Sequence, residues 1–242
     1  YINDSSNNAI IQKEVLTNER TNFHLNNTYL IQYIRSLSGL IAYYPLNENS
    51  GTTARDFGSN GLNGTTSGAV VGQAGLSGRA YSFDGVNDVI TISNNSALGS
   101  FSACTWIFML NLPETSVFRK IIRSAPFDIG VNTNGLIFSE LVGVTNGNMG
   151  IWDSQPAGGI DDSIWRMFAM TYDGATGLGY INGSVVETTG SMSGTTSASD
   201  GNLLFGNAGT EWYSDLMQHV ALLNRALSAA EITRLSQIAG LS

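Results

Sequence analysis

Residues 165–183 read WRMFAMTYDGATGLGYING and contain two β-rich runs, each followed by a turn sequence. The first run, Trp165 to Tyr172, is largely apolar and aromatic and is followed by Asp173-Gly174. The second run is followed by Asn182-Gly183, and Asx-Gly pairs of this kind supply the positive φ angles of primed hairpin turns. This stretch therefore predicts consecutive strands joined by hairpins.

The same succession of β-rich runs and turn residues extends from Gly39 towards the C-terminus. Turn formers are abundant, with 28 glycines among 242 residues, and Asp84-Gly85 is a third predicted primed turn. Short strands separated by turns in this way are typical of an all-β, two-sheet antiparallel sandwich. The other β-rich runs are Leu40 to Leu46, Arg79 to Phe83, Val89 to Ser93, Phe101 to Leu110, Phe118 to Arg123, Leu136 to Val142, Gly179 to Asn182, Leu203 to Gly206 and Leu216 to Asn224.

A short helix is predicted at the C-terminal end of the chain. Ser228 and Glu231 have the spacing of a capping box, in which each side chain binds the backbone N–H of the other residue. Ile232, Leu235 and Ile238 follow on one helical face. This helix is therefore expected to pack on the sandwich through that apolar face.

Residues 1–38 are interpreted as an N-terminal arm, and residues 39–242 as the sandwich domain. The spacing of Phe23, Asn27, Leu30, Ile34 and Leu37 is 4-3-4-3, which is the seam of a short coiled coil. The stretch from Thr28 to Ile34 also has the composition of a strand, but the heptad spacing favours a helix.

The arm is too short to form a core of its own, so its apolar stripe must dock on another surface. That surface is either the sandwich of the same chain or the arms of other copies. The heptad spacing with Asn27 in the seam favours other copies, because a buried Asn commonly sets register and chain number. The five seam residues are therefore predicted to mediate homo-oligomerisation.

Composition excludes several classes of protein. Charged residues make up only 12% of the chain, and the net charge is −8. A protein that follows a phosphate backbone needs a basic stripe, which is absent, so nucleic acid is not an expected partner. Cys104 is the only cysteine, which argues against a disulfide-stapled scaffold. No apolar run approaches the roughly 18 residues of a membrane span.

Six sequence fragments occur in order between Gly39 and Ala239. They are GLIAYYPLN (39–47), ARDFGSNGLNG (54–64), AYSFDGVND (80–88), Trp165 with MTYDG (170–174), YING (180–183) and LNRALS (223–228). In this order they resemble the laminin-G-like jelly-roll domains of the concanavalin A-like lectin and glucanase superfamily. The resemblance implies a jelly-roll sandwich that serves as a binding or adhesion module, often with a structural calcium and sometimes with a carbohydrate ligand.

The loop from Asp56 to Gly64 is the candidate calcium site. Asp56, Asn60 and Asn63 offer hard oxygen ligands of the kind that calcium takes. The resemblance implies that an acidic pair before the final strand completes such a site, but Gln218 and His219 occupy those positions. Because two carboxylates are lost, calcium binding would be weak or absent. The alternative is an Asx-rich turn whose side chains bind the backbone.

The sequence lacks the residue patterns of common hydrolases. The glucanases of the superfamily place two carboxyl groups in an alternating acidic pattern on one strand, and no such pattern occurs here. A cysteine or serine nucleophile would have to use His24 or His219, and Cys104 lies in an alternating strand pattern that is typical of a small buried residue. The protein is therefore predicted not to be an enzyme.

Aromatic residues beside turns are the candidate ligand-binding residues. Trp152, Trp212 and Tyr213 stand next to acidic, amide and turn residues, which is the composition of a sugar site. The same composition suits a subunit contact or a loop anchored by a half-buried ring. Trp106 and Trp165 lie within strand patterns and are assigned to the core.

Together these features predict a non-enzymatic recognition or adhesion module that is extracellular or stands on a cell or virion surface. Its expected partner is a glycan or a surface protein, and the arm would display several copies together. The alternative is a structural subunit of a surface filament, fibre or virion, in which the jelly roll packs against its neighbours.

Overall fold

The computed structural model describes residues 27–93, 96–112, 117–124, 126–133, 137–151, 163–198, 201–206 and 209–241. Within these ranges the chain forms two antiparallel sheets and two helices, α1 at residues 27–36 and α2 at Ala229–Ala239, with a short 3-10 turn at Ser96–Leu98. The predicted all-β sandwich is confirmed, and so is the helical prediction for the end of the arm. Neither described helix is long and apolar enough to span a membrane.

Sheet A has eight strands in the described residues, and β16 is one of its central members. The spatial order is β14-β13-β12-β7-β16-β5-β4, and β1 pairs with the second half of β16. The strands are β1 Leu40–Tyr44, β4 Val70–Ala74, β5 Arg79–Asp84, β7 Cys104–Asn111, β12 Trp165–Tyr172, β13 Gly177–Ile181, β14 Ser184–Thr189 and β16 Ser214–Leu223.

Sheet B also has eight strands, in the order β11-β10-β9-β8-β15-β6-β3-β2. Its strands β8, β9 and β10 form a meander of consecutive neighbours. The strands are β2 Thr53–Ala54, β3 Gly64–Ser67, β6 Val89–Ile92, β8 Arg119–Ser124, β9 Phe127–Val131, β10 Ile137–Leu141, β11 Asn148–Ile151 and β15 Leu203–Phe205.

The protein has two hydrophobic layers. The larger one lies between the sheets and includes Trp106, Phe108 and Phe205. The second lies on the outer face of sheet A, where both described helices cover residues such as Tyr43 and Met109. The opposite outer face, that of sheet B, is covered by neither of these helices.

The apolar stripe of α1 contributes to this second layer. Leu30 and Ile34 are completely buried, and Leu37 is 8% exposed, in the same cluster as Tyr43 and Met109. The prediction that these three residues contact other copies of the chain is therefore wrong, because their own sandwich buries them. The 4-3 spacing marks an amphipathic helix in either case, and an adjacent apolar sheet face needs no second molecule.

Of the two remaining seam residues, only Asn27 lies in the described part of the chain. Asn27 accepts a hydrogen bond from the hydroxyl of Ser77 at 3.4 Å, so it too contacts its own sandwich. Phe23 lies outside the described residues. The Asn that was predicted to set chain number therefore bonds within one chain.

The predicted local signals form as expected, with two corrections. Ser228 and Glu231 form the capping box of α2, and Gly240 ends that helix at φ 74°. Asn182 and Gly183 both have positive φ and join β13 to β14 in a two-residue turn. Asp173 does not adopt positive φ. Instead, its Oδ1 accepts the N–H groups of Ala175 and Thr176, as in an Asx turn.

The turn after β5 needs the same correction. Gly85 has φ 76°, but Asp84 is not among the residues with positive φ. Its Oδ1 accepts the N–H of Val86 at 2.8 Å. The connection from β5 to β6 is therefore a longer loop built on an Asx turn. The aspartate side chain stabilises this turn by accepting a backbone N–H, so Asp84 itself needs no positive φ angle.

Candidate functional site

A row of mainly polar side chains crosses all eight described strands of sheet B on its outer face. The pairing register aligns each member with the next across the sheet. Strands lie about 4.8 Å apart, so the row extends over roughly 34 Å. In order from β2 to β11, its members are Thr53, Thr65, Thr91, Leu204, Arg123, Asp128, Glu140 and Asn148.

The alternation of each strand explains why this row faces outward. Ile122, Ile129 and Leu141 stand next to row members along their strands and are buried in the core between the sheets. Because successive side chains project from opposite faces, the row members project to the outside. Arg123 and Glu140 are accordingly exposed, whereas Asp128 is half-buried.

Lys120 holds the charged centre of the row, Arg123, Asp128 and Glu140, through an ion pair with Asp128. The ammonium of Lys120 lies 2.5 Å from Oδ1 of Asp128. It also lies 4.6 Å from the ring centre of Phe138 and 5.0 Å from that of Phe118. These cation–π contacts and the ion pair restrain Lys120 although its side chain is long and flexible.

Two half-buried phenylalanine rings stand beside the polar row. Phe118 and Phe138 have ring centres 4.8 Å apart. Gly130 lies beneath Phe138, and a Cβ at Gly130 would come within 2.7 Å of that ring. A glycine is therefore required for the Phe138 ring to approach strand β9 so closely. The result is a mixed apolar and polar surface with a charged centre.

Trp212 lies in a loop at the edge of this surface. The neighbouring Glu211 places Oε2 3.9 Å from the ammonium of Lys120, which brings the loop to the outer face of sheet B. Trp212 is half-buried. Trp152 follows directly after β11, but it lies outside the described residues. Both predicted ligand-binding roles remain untested.

Tyr213 was predicted to bind ligand, and the structure contradicts this role. Tyr213 is completely buried. Its ring packs edge-on against Phe83 at 5.5 Å, and its hydroxyl donates to the carbonyl of Leu216 at 3.0 Å. Burial raises the pKa of this hydroxyl well above its usual value. Tyr213 is therefore a core residue that faces away from solvent.

The predicted calcium loop is organised by Asp56. Its Oδ1 accepts the N–H groups of Tyr43 and Gly58, and its Oδ2 accepts that of Leu62. Asn63 Oδ1 accepts the Asp56 N–H at 2.9 Å. These contacts close an Asx-rich turn, as the alternative interpretation of the sequence expected.

The same loop also covers the free edge of β1. The N–H of Phe57 donates to the carbonyl of Tyr43 at 2.7 Å, and the side-chain amide of Asn60 donates to the carbonyl of Ile41. Asn60 thus meets the strand through its Nδ2 donor. The loop occupies the position that a neighbouring strand would take.

Gln218 and His219 do not complete a calcium site. Gln218 is buried and donates through Nε2 to the carbonyl of Ser77 at 2.7 Å. His219 is also buried, and desolvation lowers its pKa to about 3, so it stays a neutral imidazole and supplies no carboxylate oxygen. The described residues contain no group of three or more His, Cys, Asp or Glu arranged to hold a metal. The residues present therefore fit calcium poorly, and calcium binding stays an untested prediction.

His219 marks the point where β16 changes partners. Its φ is 51°, and its N–H donates to the carbonyl of Pro45. Residues before it pair with β5, whereas residues after it pair with β1. Its Nδ1 lies 2.7 Å from the hydroxyl oxygen of Tyr43, and its Nε2 has no hydrogen-bond partner in the part of the chain that the structure describes.

Comparison with solved structures shows similar folds at low sequence identity. The binding domain of Paraclostridial Mosquitocidal Protein 1 matches with a TM-score of 0.64 and 15% identity over 82% of this chain and 52% of that chain. The ligand-binding domain of botulinum neurotoxin serotype D, in complex with N-acetylneuraminic acid, matches with a TM-score of 0.64 and 14% identity. This match covers 82% of this chain and 50% of that chain. Trypanosoma rangeli sialidase in complex with sialic acid matches with a TM-score of 0.59 and 12% identity over 86% of this chain and 37% of that chain.

The chain thus spans about half or less of the length of these structures, and at such identity the likeness shows the fold alone. No curated protein matches the chain in sequence. A family model of the laminin G type, described as the concanavalin A-like lectin/glucanases superfamily, matches residues 84–233. Because this match covers more than half of the chain, the protein belongs to the concanavalin A-like lectin/glucanases superfamily.

Proposed function

We propose that this protein is a non-enzymatic recognition module that binds a glycan on the outer face of sheet B. The observation that carries the proposal is the polar row that crosses this face. Arg123, Asp128 and Glu140 stand on three neighbouring strands of the row. Guanidinium and carboxylate groups suit sugar hydroxyls, since they donate and accept several hydrogen bonds. The nearby phenylalanine rings supply apolar area of the kind that ligand sites combine with a few placed polar groups.

The comparisons support a binding role. Two of the similar structures are a binding domain and a ligand-binding domain of toxins, and the second holds N-acetylneuraminic acid. We extend this to extracellular or surface display of the present chain. The stripe of α1 is buried within the chain, so multivalent display would have to use another surface.

Hydrolysis is the less favoured function for this face. Asp128 and Glu140 are paired directly across β9 and β10, and a glycosidase needs two carboxyl groups about the sugar bond. However, Oδ1 of Asp128 already forms an ion pair with the Lys120 ammonium at 2.5 Å. That contact favours a fixed acceptor for hydrogen bonds over a group that exchanges protons or attacks a sugar carbon.

The test is a glycan array probed with the parent protein and with Arg123→Ala/Glu140→Ala. Both residues are exposed, so the variant is expected to fold. We expect the parent to bind at least one glycan class without cleaving it, and the variant to bind it about tenfold or more weakly, since lost charged hydrogen bonds are worth about 1.5–3 kcal/mol each. The control is Arg234→Ala, an exposed arginine on α2.

Equal glycan binding by parent and double variant would show that sheet B is not the site. An array without any bound glycan would instead favour a structural subunit of a surface assembly, the alternative drawn from the sequence. Release of reducing sugar that depends on Glu140 would contradict the non-enzymatic proposal.

A further inference from the structure

A second concave surface lies where α1 ends, away from the polar row's charged centre. It is a cavity of about 370 Å³ lined by residues that include Arg35, Thr53, Arg55, Phe57 and Asn63. Arg35 belongs to the last turn of α1, and the others flank strand β2 and the loop that follows it. An adjoining cavity of about 360 Å³ shares Arg35 and Phe57, so these two side chains stand between the two hollows.

Neither arginine of this cavity forms an ion pair with a carboxylate of the described residues. Arg35 and Arg55 are both exposed, and neither guanidinium takes part in the ion pairs found among the described residues. By contrast, Arg119, Lys120 and Arg225 each pair with a carboxylate. Two arginines without an ion pair among the described residues thus line one cavity of a chain with net charge −8.

The carboxylates near the cavity are engaged by backbone groups. Asp56 lines the cavity, but its two oxygens accept three backbone N–H groups. Glu48 Oε1 accepts the backbone N–H of Arg55 at 2.9 Å and makes no ion pair with its guanidinium in the described part of the chain. Within the described ranges, therefore, no carboxylate holds either guanidinium group in an ion pair, and both can meet an external anion.

Phe57 in the wall of the cavity is anchored to strand β1. The guanidinium carbon of Arg35 lies 5.9 Å from the ring centre of Phe57, and that ring packs edge-on against buried Tyr43 at 6.3 Å. The Phe57 N–H also donates to the carbonyl of Tyr43. Gly58 allows this docking, because a Cβ there would lie 3.0 Å from the carbonyl oxygen of Ile41. Arg35 and Arg55 are thus presented from backbone that is held in place.

We propose that this cavity binds the anionic group of an acidic glycan, either a sugar carboxylate or a sulfate ester. A guanidinium presents donors in a planar fork that matches two oxygens of such a group. Thr53 adds a hydroxyl group at the cavity wall. Asn63 adds an amide whose oxygen already accepts the Asp56 N–H, so its NH2 group supplies donors. This inference rests on the proposed function only for the sugar; the anion site lies at the β2 end of the polar row, where Thr53 stands, and does not include Arg123, Asp128 or Glu140.

The experiment compares matched pairs of charged and neutral sugars by isothermal titration calorimetry. Sialyllactose against lactose tests the carboxylate, and a sulfated disaccharide against its desulfated form tests the sulfate. We expect the parent protein to prefer at least one anionic sugar by about tenfold or more. The preference should shrink between about 0.1 and 1 M salt, because the Debye length falls from about 10 Å to about 3 Å.

Variants distinguish this site from the charged centre of the polar row, Arg123, Asp128 and Glu140. In Arg35→Gln/Arg55→Gln the preference for the anionic sugar should disappear, whereas Arg234→Gln should retain it. Arg123→Ala/Glu140→Ala should weaken both members of a pair alike and leave the preference intact. The inference is overturned if the parent shows no preference, if the Arg35/Arg55 variant keeps it, or if the sheet B variant alone abolishes it.

Discussion

At the scale of single residues, His219 is a buried imidazole whose Nδ1 lies 2.7 Å from the hydroxyl of Tyr43. Tyr43 belongs to the hydrophobic layer that α1 covers. Desolvation lowers the pKa of His219 from 6.5 to about 3, so the folded protein holds the imidazole neutral next to Tyr43. The unfolded chain binds the proton at a higher pH than the folded chain does. His219 therefore contributes stability that is complete above about pH 6.5 and is lost as the pH falls towards 3.

This shift predicts acid sensitivity that disappears with the imidazole. Between about pH 7.5 and pH 5, the His219 contribution to the free energy of unfolding should fall by about 2 kcal/mol. Burial raises the pKa of Asp215 to about 7, against the opposing effect of Arg119, and this gives a slope of opposite sign in the same range. The measurement is therefore the difference in urea unfolding between the parent and His219→Gln at both pH values. Parallel slopes would show that His219 does not titrate in this way.

At the scale of elements, the loop around Asp56 acts as a substitute strand for the free edge of β1. Asp56→Ala should lower the free energy of unfolding by about 2–5 kcal/mol, because three backbone N–H groups lose their acceptor. Asn60→Ala, which removes one partly exposed contact, is the milder control. Since these contacts already satisfy the loop, saturating calcium should leave the melting temperature of the parent unchanged. A calcium-dependent rise that Asp56→Ala abolishes would restore the calcium site.

At the scale of the whole molecule, the arm and the sandwich share one hydrophobic layer. Removing residues 1–38 would uncover apolar residues of sheet A, including Tyr43, Ile107 and Met109. We therefore expect residues 39–242 alone to aggregate or to melt at a much lower temperature than the full chain.

Leu30→Ala and Ile34→Ala in the full chain should each lower the free energy of unfolding by about 2–5 kcal/mol without changing the molecular mass in solution. A stable, soluble fragment 39–242 would show that sheet A does not need α1 as a cover, and a change of mass in the variants would show that α1 connects copies.

Much of the fold follows from local patterns that the sequence displays. The ten predicted β-rich runs, the capping box at Ser228 and the Asn182-Gly183 turn all occur in the structure. These signals depend on residues close together in the chain, such as alternation, spacing of three or four and the φ preference of Gly and Asn. Strands β2, β3, β4, β9, β11 and β14 escaped prediction because they are short, glycine-containing or largely polar.

The candidate site depends instead on pairing between distant strands. No local pattern in the sequence places Arg123, Asp128 and Glu140 in one row, because a shift of one residue in register would turn each strand's side chains to the other face. Likewise, the spacing of Leu30 and Ile34 determines an amphipathic helix but not the partner of its apolar face. The tertiary structure decided that partner, since the outer face of sheet A lies within reach of α1 in the same chain and its burial needs no second molecule.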